Sequence, residues 1–223
     1  AARLVLVRNL GVNIFKGIVG GYGKIEGAPA CLLFIADRMA PHSAELVGYA
    51  GEGTILEATR LGLATCWVGG FFKRDKAAQL VELRPNEEIV AVSPLGYSPA
   101  DYSFSEKLLK RMASSHKRRD LRELAAGYSE ETWPTWAREA VTLARLAPSA
   151  VNRQPWRFRF EEGELVLAID DPKDSYHIPK RLDCGIAMLH MEVGARAQGM
   201  TGSWELMDGM EVARFRVTGA AGA

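Results

Sequence analysis

The chain has 223 residues, a length that suits one large domain or two closely packed halves. With 28 basic and 27 acidic residues, it has no overall charge that would attract nucleic acid or an anionic membrane. We therefore expect a small-molecule partner, and any anion site must be local. No apolar run has the length of a membrane-spanning helix, and the N-terminus has no signal-peptide pattern. Three widely spaced cysteines argue against a disulfide framework or a structural zinc site and favour a cytoplasmic location.

Apolar runs early in the chain predict buried strands over residues 3–7 and 30–37, separated by a glycine-rich segment that is poor helix material. Helical spacing of apolar residues predicts a core helix over 43–62, with Ser43 as its N-cap and Gly62 as its stop. A short strand and loop in LATCWVGGFF, a short helix in KRDKAAQLVEL and a strand in EEIVAVSPLGY follow. The charged stretch 98–122 is predicted to be an exposed connection.

The second part of the chain begins with a predicted helix over 129–147. Ser129 or Thr132 is its expected cap, and Pro134 is placed in its first turn. A strand pair that turns at Glu162 and Gly163 comes next, followed by an apolar helix over 184–200.

Two of these helices match without gaps when residues 47–67 are compared with residues 184–204. Both segments have glycine, alanine and tryptophan at the same five places, at a constant offset of 137. Each follows a strand that ends in an acidic residue. This order favours a diverged duplication, with one half in residues 1–124 and the other in residues 125–223.

The two halves differ in their loops. Only the first half has the sequence WVGG, residues 67–70, which we name the diglycine loop; only the second half has PSAVNRQP, residues 148–155, the polar loop. A plain turn between two apolar elements does not need so many polar residues, whereas binding groups concentrate on such loops. If the halves pack about a pseudo-twofold axis, one crevice contains both loops and the other neither, which predicts one site per chain.

Several segments resemble segments of the FMN-dependent nitroreductase family and occur in the same order and context as they do there. They are APSAVNRQPWRF, GYAGEGTILEATRLGLATCWVGGFF, VSPLGY and HKRRDL. The likeness is closest to the branch in which one chain holds two half-units that mimic the usual homodimer. It implies an α+β fold, with a mainly antiparallel sheet wrapped by helices. It also implies a monomer that acts as a pseudo-dimer.

The resemblance also implies the parts of an FMN site. The isoalloxazine edge and ribityl chain would be lined by Pro148, Ser149, Ala150 and Asn152, with Gln154 in support. The other edge of the isoalloxazine ring would lie against the diglycine loop, that is Trp67, Val68, Gly69 and Gly70. The backbone N–H of Gly69 or Gly70 would be directed at flavin N5. Lys117 and Arg119 would hold the phosphate.

These residue types suit a flavin. Glycine allows a backbone to approach a flat ring closely, and Ser, Asn and Gln supply neutral donors and acceptors. The activity implied is hydride transfer from NADH or NADPH, through the flavin, to a nitroaromatic or quinone-like acceptor. No residue is assigned as a catalytic acid or base, and no metal-binding spacing occurs.

The same residues have structural interpretations. Ser149, Asn152 and Gln154 are residue types that stabilise turns, Trp67 and Trp204 suit a core, and a basic cluster suits a solvated surface. The family's usual N-terminal arginine-rich phosphate-binding segment does not precede Arg3, so it lies upstream or flavin affinity is weakened. The alternatives are a non-catalytic protein that binds flavin or another planar ligand, and a structural subunit.

Overall fold

A computed structural model describes residues 2–15, 25–97 and 117–220 of the chain. Residues 98–116 of the connection predicted over 98–122, and residues 16–24 of the glycine-rich segment, lie outside the described residues. The fold is α+β and has two four-stranded antiparallel sheets, which confirms the predicted fold class. No helix in the described ranges is long and apolar enough to cross a membrane.

The first sheet has the strand order β1-β2-β4-β3, with the helix α1 between its second and third strands. Its elements are, in chain order, β1 (Ala2–Arg8), β2 (Ala30–Asp37), α1 (Ser43–Arg60), β3 (Ala64–Thr65), α2 (Arg74–Ala78) and β4 (Glu87–Gly96). The strand β2 is buried on both faces because Cys31, Leu33 and Ile35 face one apolar cluster and Leu32, Phe34 and Ala36 face another.

The second sheet has the order β5-β6-β8-β7, again with a long helix between its second and third strands. Its elements are α3 (Leu121–Leu124), α4 (Thr135–Ala144), β5 (Trp156–Glu161), β6 (Glu164–Ile169), α5 (Lys180–Ala197), β7 (Met200–Leu206) and β8 (Glu211–Ala220). Leu124 and Ala125 belong to the core of this second unit. The predicted division at residue 124 stays a prediction.

The predicted helix boundaries need three corrections. Ser43 is the first residue of α1 and not its cap; His42 precedes the helix with a positive φ and makes no side-chain cap bond. Helix α4 begins only at Thr135, because Ser129 Oγ instead accepts the backbone N–H groups of Glu131 and Thr132 in a separate turn. Helix α5 begins four residues earlier than the predicted 184, at Lys180.

Equivalent details recur in the two units. Both long helices end at a left-handed glycine, Gly62 with φ 76° and Gly199 with φ 73°. The second strand of each sheet has one register shift, between Phe34 and Ile35 in β2 and between Leu167 and Ala168 in β6. The two sheets thus share strand order, helix placement and bulge position.

Helices α1 and α5 pack directly against each other through glycine. A methyl group on Gly48 would lie 2.2 Å from the Leu182 carbonyl oxygen, and one on Gly185 would lie 2.1 Å from the Glu45 carbonyl oxygen. These two contacts exchange under the offset of 137, as expected for a twofold relation between the helices. Helix α4 covers the far side of α5, where Gly194 approaches the backbone of Ala140.

Candidate functional site

The polar loop uses its side chains to hold the basic segment, residues 117–119. Asn152 Nδ2 and Gln154 Nε2 both donate to the Lys117 carbonyl oxygen, at 2.9 and 3.1 Å, and Gln154 Oε1 accepts the Arg119 N–H at 2.9 Å. Ser149 Oγ accepts the Gln154 N–H at 3.0 Å and so closes the loop on itself. Two of the three predicted site segments therefore lie side by side.

The polar loop has unusual backbone geometry. Val151, Asn152 and Gln154 have φ values of 48°, 56° and 49°, in the left-handed region that favours glycine. For a β-branched residue this is costly, on the order of 1–3 kcal/mol. The side chain of Val151 is 46% exposed, so its own burial does not offset the cost. Contacts made by neighbouring residues must hold this conformation.

Arg153 makes the strongest of these contacts. Its Nε donates to Asp183 Oδ2 at 2.7 Å, and the side chains of Arg153 and Asp183 are 10% and 3% exposed. Asp183 also accepts the backbone N–H of Ala150. Burial raises the pKa of Asp183 to about 6, while the charge and hydrogen bond of Arg153 act in the opposite direction. The ion pair joins the polar loop to the first turn of α5.

The remaining nitrogens of Arg153 reach a third segment, residues 174–178, which we name the strap. Arg153 Nη1 donates to Ser175 Oγ at 2.9 Å, and Nη2 donates to the Ile178 carbonyl oxygen at 3.0 Å. Tyr176 and His177, at the middle of the strap, again have left-handed φ values of 60° and 56°. The strap and the polar loop are thus two strained segments tied together by one side chain.

The strap also touches the diglycine loop of the other unit. A methyl group on Gly69 would lie 2.8 Å from Ile178 Cδ1, whereas one on Gly70 would meet only ordinary contacts at 3.8 Å and beyond. Ala150 of the polar loop, Trp67 and Ile178 belong to one apolar cluster. The strap therefore contacts both the polar loop and the diglycine loop, and the basic segment joins this group through the polar loop.

Trp67 and Val68 have structural roles within the diglycine loop. The Trp67 ring stacks on Phe34 with centroids 4.1 Å apart, and its Nε1 donates to Glu52 Oε2 at 2.7 Å. Val68 is buried and exchanges two backbone hydrogen bonds of 2.9 Å with Val92. Their side chains fix the loop, so that only the glycines present an accessible backbone.

Positive charge accumulates beside the polar loop. Lys117 and Arg119 are exposed, and Arg145 Nη1 reaches the Arg119 carbonyl oxygen at 3.4 Å. Within the described ranges, no carboxylate lies in ion-pair distance of Lys117, Arg119 or Arg145, and Arg145 Nε is buried without a hydrogen-bond partner. Arg157 lies near this cluster but pairs with Asp170 at 3.7 Å; burial lowers the pKa of Arg157, with Asp170 acting in the opposite direction and Arg119 in the same one. Such a cluster is suited to an anion such as a phosphate.

Arg153, Asp183 and Ile178 were missed by sequence reasoning. Arg153 lies inside the polar loop, but the motif alone does not show that its side chain turns inward to a carboxylate. Asp183 belongs to a helix start and Ile178 to the connection before it, and neither segment carries a recognisable pattern. His190 Nε2 lies 2.8 Å from Glu52 Oε1, so Glu52 contacts both His190 on α5 and the Trp67 ring.

Comparison with solved structures supports the fold. A Thermotoga maritima protein described as a putative nitroreductase has 21% sequence identity and a TM-score of 0.58, covering 95% of this chain and 79% of the other. An FMN-dependent nitroreductase from Clostridium difficile has 17% identity and a TM-score of 0.35, covering 47% and 69%. The comparison with curated protein sequences returned no match.

The two-sheet fold and the clustered loops define a protein of the nitroreductase class. The sequence profile of the family described as "Putative TM nitroreductase" matches residues 10–195. The chain belongs to this nitroreductase family, which confirms the resemblance predicted from its motifs, and family membership supports an oxidoreductase.

Proposed function

We propose that the protein is an FMN-dependent oxidoreductase that takes a hydride from NADH or NADPH and passes it to a nitroaromatic or quinone-like acceptor. The observation that carries the proposal is a chain of contacts, in a member of this family, that links the basic segment, the polar loop, the strap and the diglycine loop. The polar loop and the basic segment come together through Asn152 and Gln154, and the diglycine loop joins them from the other unit.

The residues present fit this cofactor. The exposed cations Lys117 and Arg119 have no carboxylate partner in the described part of the chain, so they are suited to the FMN phosphate. Gly70 has room beside its Cα, which suits close backbone approach to a flat ring. Pro148, Ser149, Ala150 and Asn152 would line the ring edge and ribityl chain, with Gln154 holding the loop. Bound FMN would supply the hydride-transfer chemistry, and the protein would orient it and exclude water.

The proposal includes an origin by internal duplication, so that one chain forms a pseudo-dimer. The shared strand order, the equivalent bulges and the reciprocal glycine contacts of Gly48 and Gly185 support it. A monomer with one flavin is then the expected state, and mass measured under native conditions tests this. The three free cysteines support a reducing compartment such as the cytoplasm.

The first experiment is the visible spectrum of the purified protein, followed by FMN titration if it is colourless. We expect saturable binding of one FMN per chain. Oxidation of NADH and NADPH is then followed with a nitroaromatic acceptor. A protein that never binds FMN contradicts the proposal.

A second function, a non-catalytic protein that binds flavin or another planar ligand, is favoured by a different observation. The Ile178 side chain lies directly against Gly69, one of the two residues assigned to flavin N5. If this contact persists with FMN bound, access to one part of the ring is restricted. FMN binding with negligible NADH or NADPH oxidation is the expected result for this function.

A further inference from the structure

The pair formed by Arg153 and Asp183 is not among the residues assigned to FMN, yet it joins two of the segments next to them, the polar loop and the strap. Arg153 uses three nitrogens for three partners: Asp183 on α5, Ser175 in the strap and the Ile178 carbonyl oxygen. The Ile178 side chain in turn rests on Gly69. A continuous path of contacts therefore runs from α5 to the diglycine loop.

The positions of strained backbone support a positioning role. Eight non-glycine residues in the described ranges have positive φ, and five of them lie in the polar loop or the strap: Val151, Asn152, Gln154, Tyr176 and His177. These are the two segments that Arg153 ties together. A conformation that the backbone disfavours must be held by outside contacts, and the Arg153 fork supplies them on both sides.

We propose that the Arg153–Asp183 pair is a positioning device for the FMN site, which sets the separation between the polar loop, the strap and Gly69. The inference rests on the proposed function for its ligand but not for its geometry. Breaking the pair would let the polar loop and strap relax toward ordinary backbone conformations. The loop and the diglycine backbone would then no longer face one ligand at fixed distance, and FMN would bind less tightly.

The chain provides a matched control pair. Arg181 and Glu45 also form a buried arginine–carboxylate pair at the α1–α5 interface, with Glu45 only 2% exposed. The Arg181 guanidinium also donates to the carbonyl oxygens of Met207 and Gly209 in the β7–β8 turn. It touches neither the polar loop nor the strap in the described structure. Glu45→Gln therefore makes the same chemical change as Asp183→Asn at a place that should not affect FMN.

The ionisation of Asp183 gives the pair a second signature. Burial raises its pKa to about 6. The charged groups that face it are Arg153 from the polar loop and Asp174 from the strap; Arg181 and Glu45 act on the adjoining Cys184. Because the folded protein holds this proton more tightly than the unfolded chain, the contribution of Asp183 to stability falls as pH rises from its ordinary 3.8 to about 6. Acidification should therefore strengthen the fold through this group while it weakens the ion pair and FMN binding.

The test compares Asp183→Asn, Arg153→Lys and Glu45→Gln in the full chain by FMN fluorescence titration at pH 7.5 and 5.5. At pH 7.5 we expect the Kd for FMN to rise at least tenfold in Asp183→Asn and in Arg153→Lys. The lysine keeps the positive charge but loses the planar guanidinium that binds three partners. Glu45→Gln should stay within twofold of wild type. The FMN phosphate itself titrates near pH 6, so the informative quantity is the difference between variants. Asp183→Asn should show a smaller loss of affinity on acidification than Glu45→Gln.

A readout without flavin separates failure of the inference from failure of the proposed function. Amide hydrogen exchange in the ligand-free protein should accelerate over 149–154 and 175–178 in Asp183→Asn and Arg153→Lys, and not in Glu45→Gln. If wild type fails to bind FMN, the proposed function falls while exchange still decides the positioning role. If exchange in these segments is the same in all three variants, or the Kd values are equal, the inference is overturned.

Discussion

Two arginine–carboxylate pairs near the start of α5 are of the same kind but have different surroundings. Arg153 reaches from the polar loop to Asp183 and also binds the strap. Arg181 reaches from α5 to Glu45 and also binds the short β7–β8 turn. The first unit instead connects β3 to β4 through residues 66–86, which include the diglycine loop. Similar helices are therefore joined to unequal connections in the two units.

This comparison teaches that the candidate site depends on connections more than on the common scaffold. Strand order, bulge position and helix ends are shared by the two units. Within the described residues, five of the eight non-glycine residues with positive φ lie in the polar loop or the strap, and the cation cluster lies beside the polar loop. The scaffold positions the loops, and the loops supply the chemistry.

The largest effect is expected at the shared scaffold, where the two helices touch. Gly48→Ala or Gly185→Ala would place a methyl group within 2.2 Å of a backbone oxygen, so the helices must separate. We expect about 3 kcal/mol or more of lost stability for each, measured by urea denaturation.

Gly53→Ala is the control on the same helix, because its methyl group would meet only Leu189 Cδ2 at 3.7 Å. This control should be neutral or stabilising by roughly 0.5–1 kcal/mol. A loss at Gly48 no larger than the change at Gly53 would contradict the close helix contact.

The equivalent tryptophans distinguish the two units. Trp67→Phe removes the 2.7 Å donor to Oε2 of the almost fully buried Glu52, which keeps only the His190 contact on its other oxygen, and should cost roughly 1–3 kcal/mol. Trp204→Phe removes a donor to Glu192, which keeps its bonds from Tyr49 and Arg196. We expect the smaller loss at Trp204, again by urea denaturation. Equal losses of stability would show that the Trp67–Glu52 hydrogen bond contributes no more than the Trp204–Glu192 bond.

The cation cluster tests the asymmetry in ligand binding. Lys117→Ala or Arg119→Ala should each weaken FMN binding about tenfold, equivalent to roughly 1.4 kcal/mol, with a shallower salt dependence than wild type. Arg60→Ala removes an exposed cation that pairs with Glu57 on the surface of α1, and it should leave the Kd unchanged. Fluorescence titration over a range of salt concentrations measures both. A uniform response of all three variants would place the phosphate elsewhere.

A smaller effect contrasts two carboxylates whose pKa values move in opposite directions. The hydrogen bond from Arg3 is the main cause that lowers the pKa of Glu87 to about 2, from an ordinary 4.5. Its stabilising contribution is complete above pH 4.5 and is lost as pH falls toward 2, the reverse of Asp183.

Glu87→Gln should therefore cost roughly 1 kcal/mol or less near pH 7, because the pair is partly exposed. The difference from wild type should shrink below pH 4.5. Urea denaturation at several pH values checks this, and a difference that stays constant down to pH 3 would be inconsistent with the Arg3–Glu87 pair.

Much of the fold could be predicted from the sequence. Strand β2 was predicted with its full range, and the turn at Glu162 and Gly163 was predicted as well, because a continuous apolar run and turn residues are local signals. Helix starts were less predictable. Ser129 caps a separate turn and Pro179 precedes α5, choices that depend on how each segment packs and not on residue preference alone.

The candidate site was only partly predictable. The motifs identified the polar loop and the diglycine loop as candidate binding loops. The family resemblance is confirmed, whereas the assigned flavin contacts stay predictions. The sequence could not show that Ser149, Asn152 and Gln154 spend hydrogen bonds on the loop and the basic segment. The partners of Asn152 and Gln154 in the basic segment lie 35 residues away along the chain, and such pairings depend on chain packing.

By itself, the amino-acid sequence determined the secondary-structure pattern, the repeated helix and the family, because these follow from residue types at short or regular spacing. The tertiary structure alone decided that Arg153 meets Asp183, that Ile178 rests on Gly69 and that the strap contacts a loop from each unit. These contacts join residues that are 30 to more than 100 positions apart. Burial and packing, which bring such residues together, are properties of the folded chain and leave no local signal in the sequence.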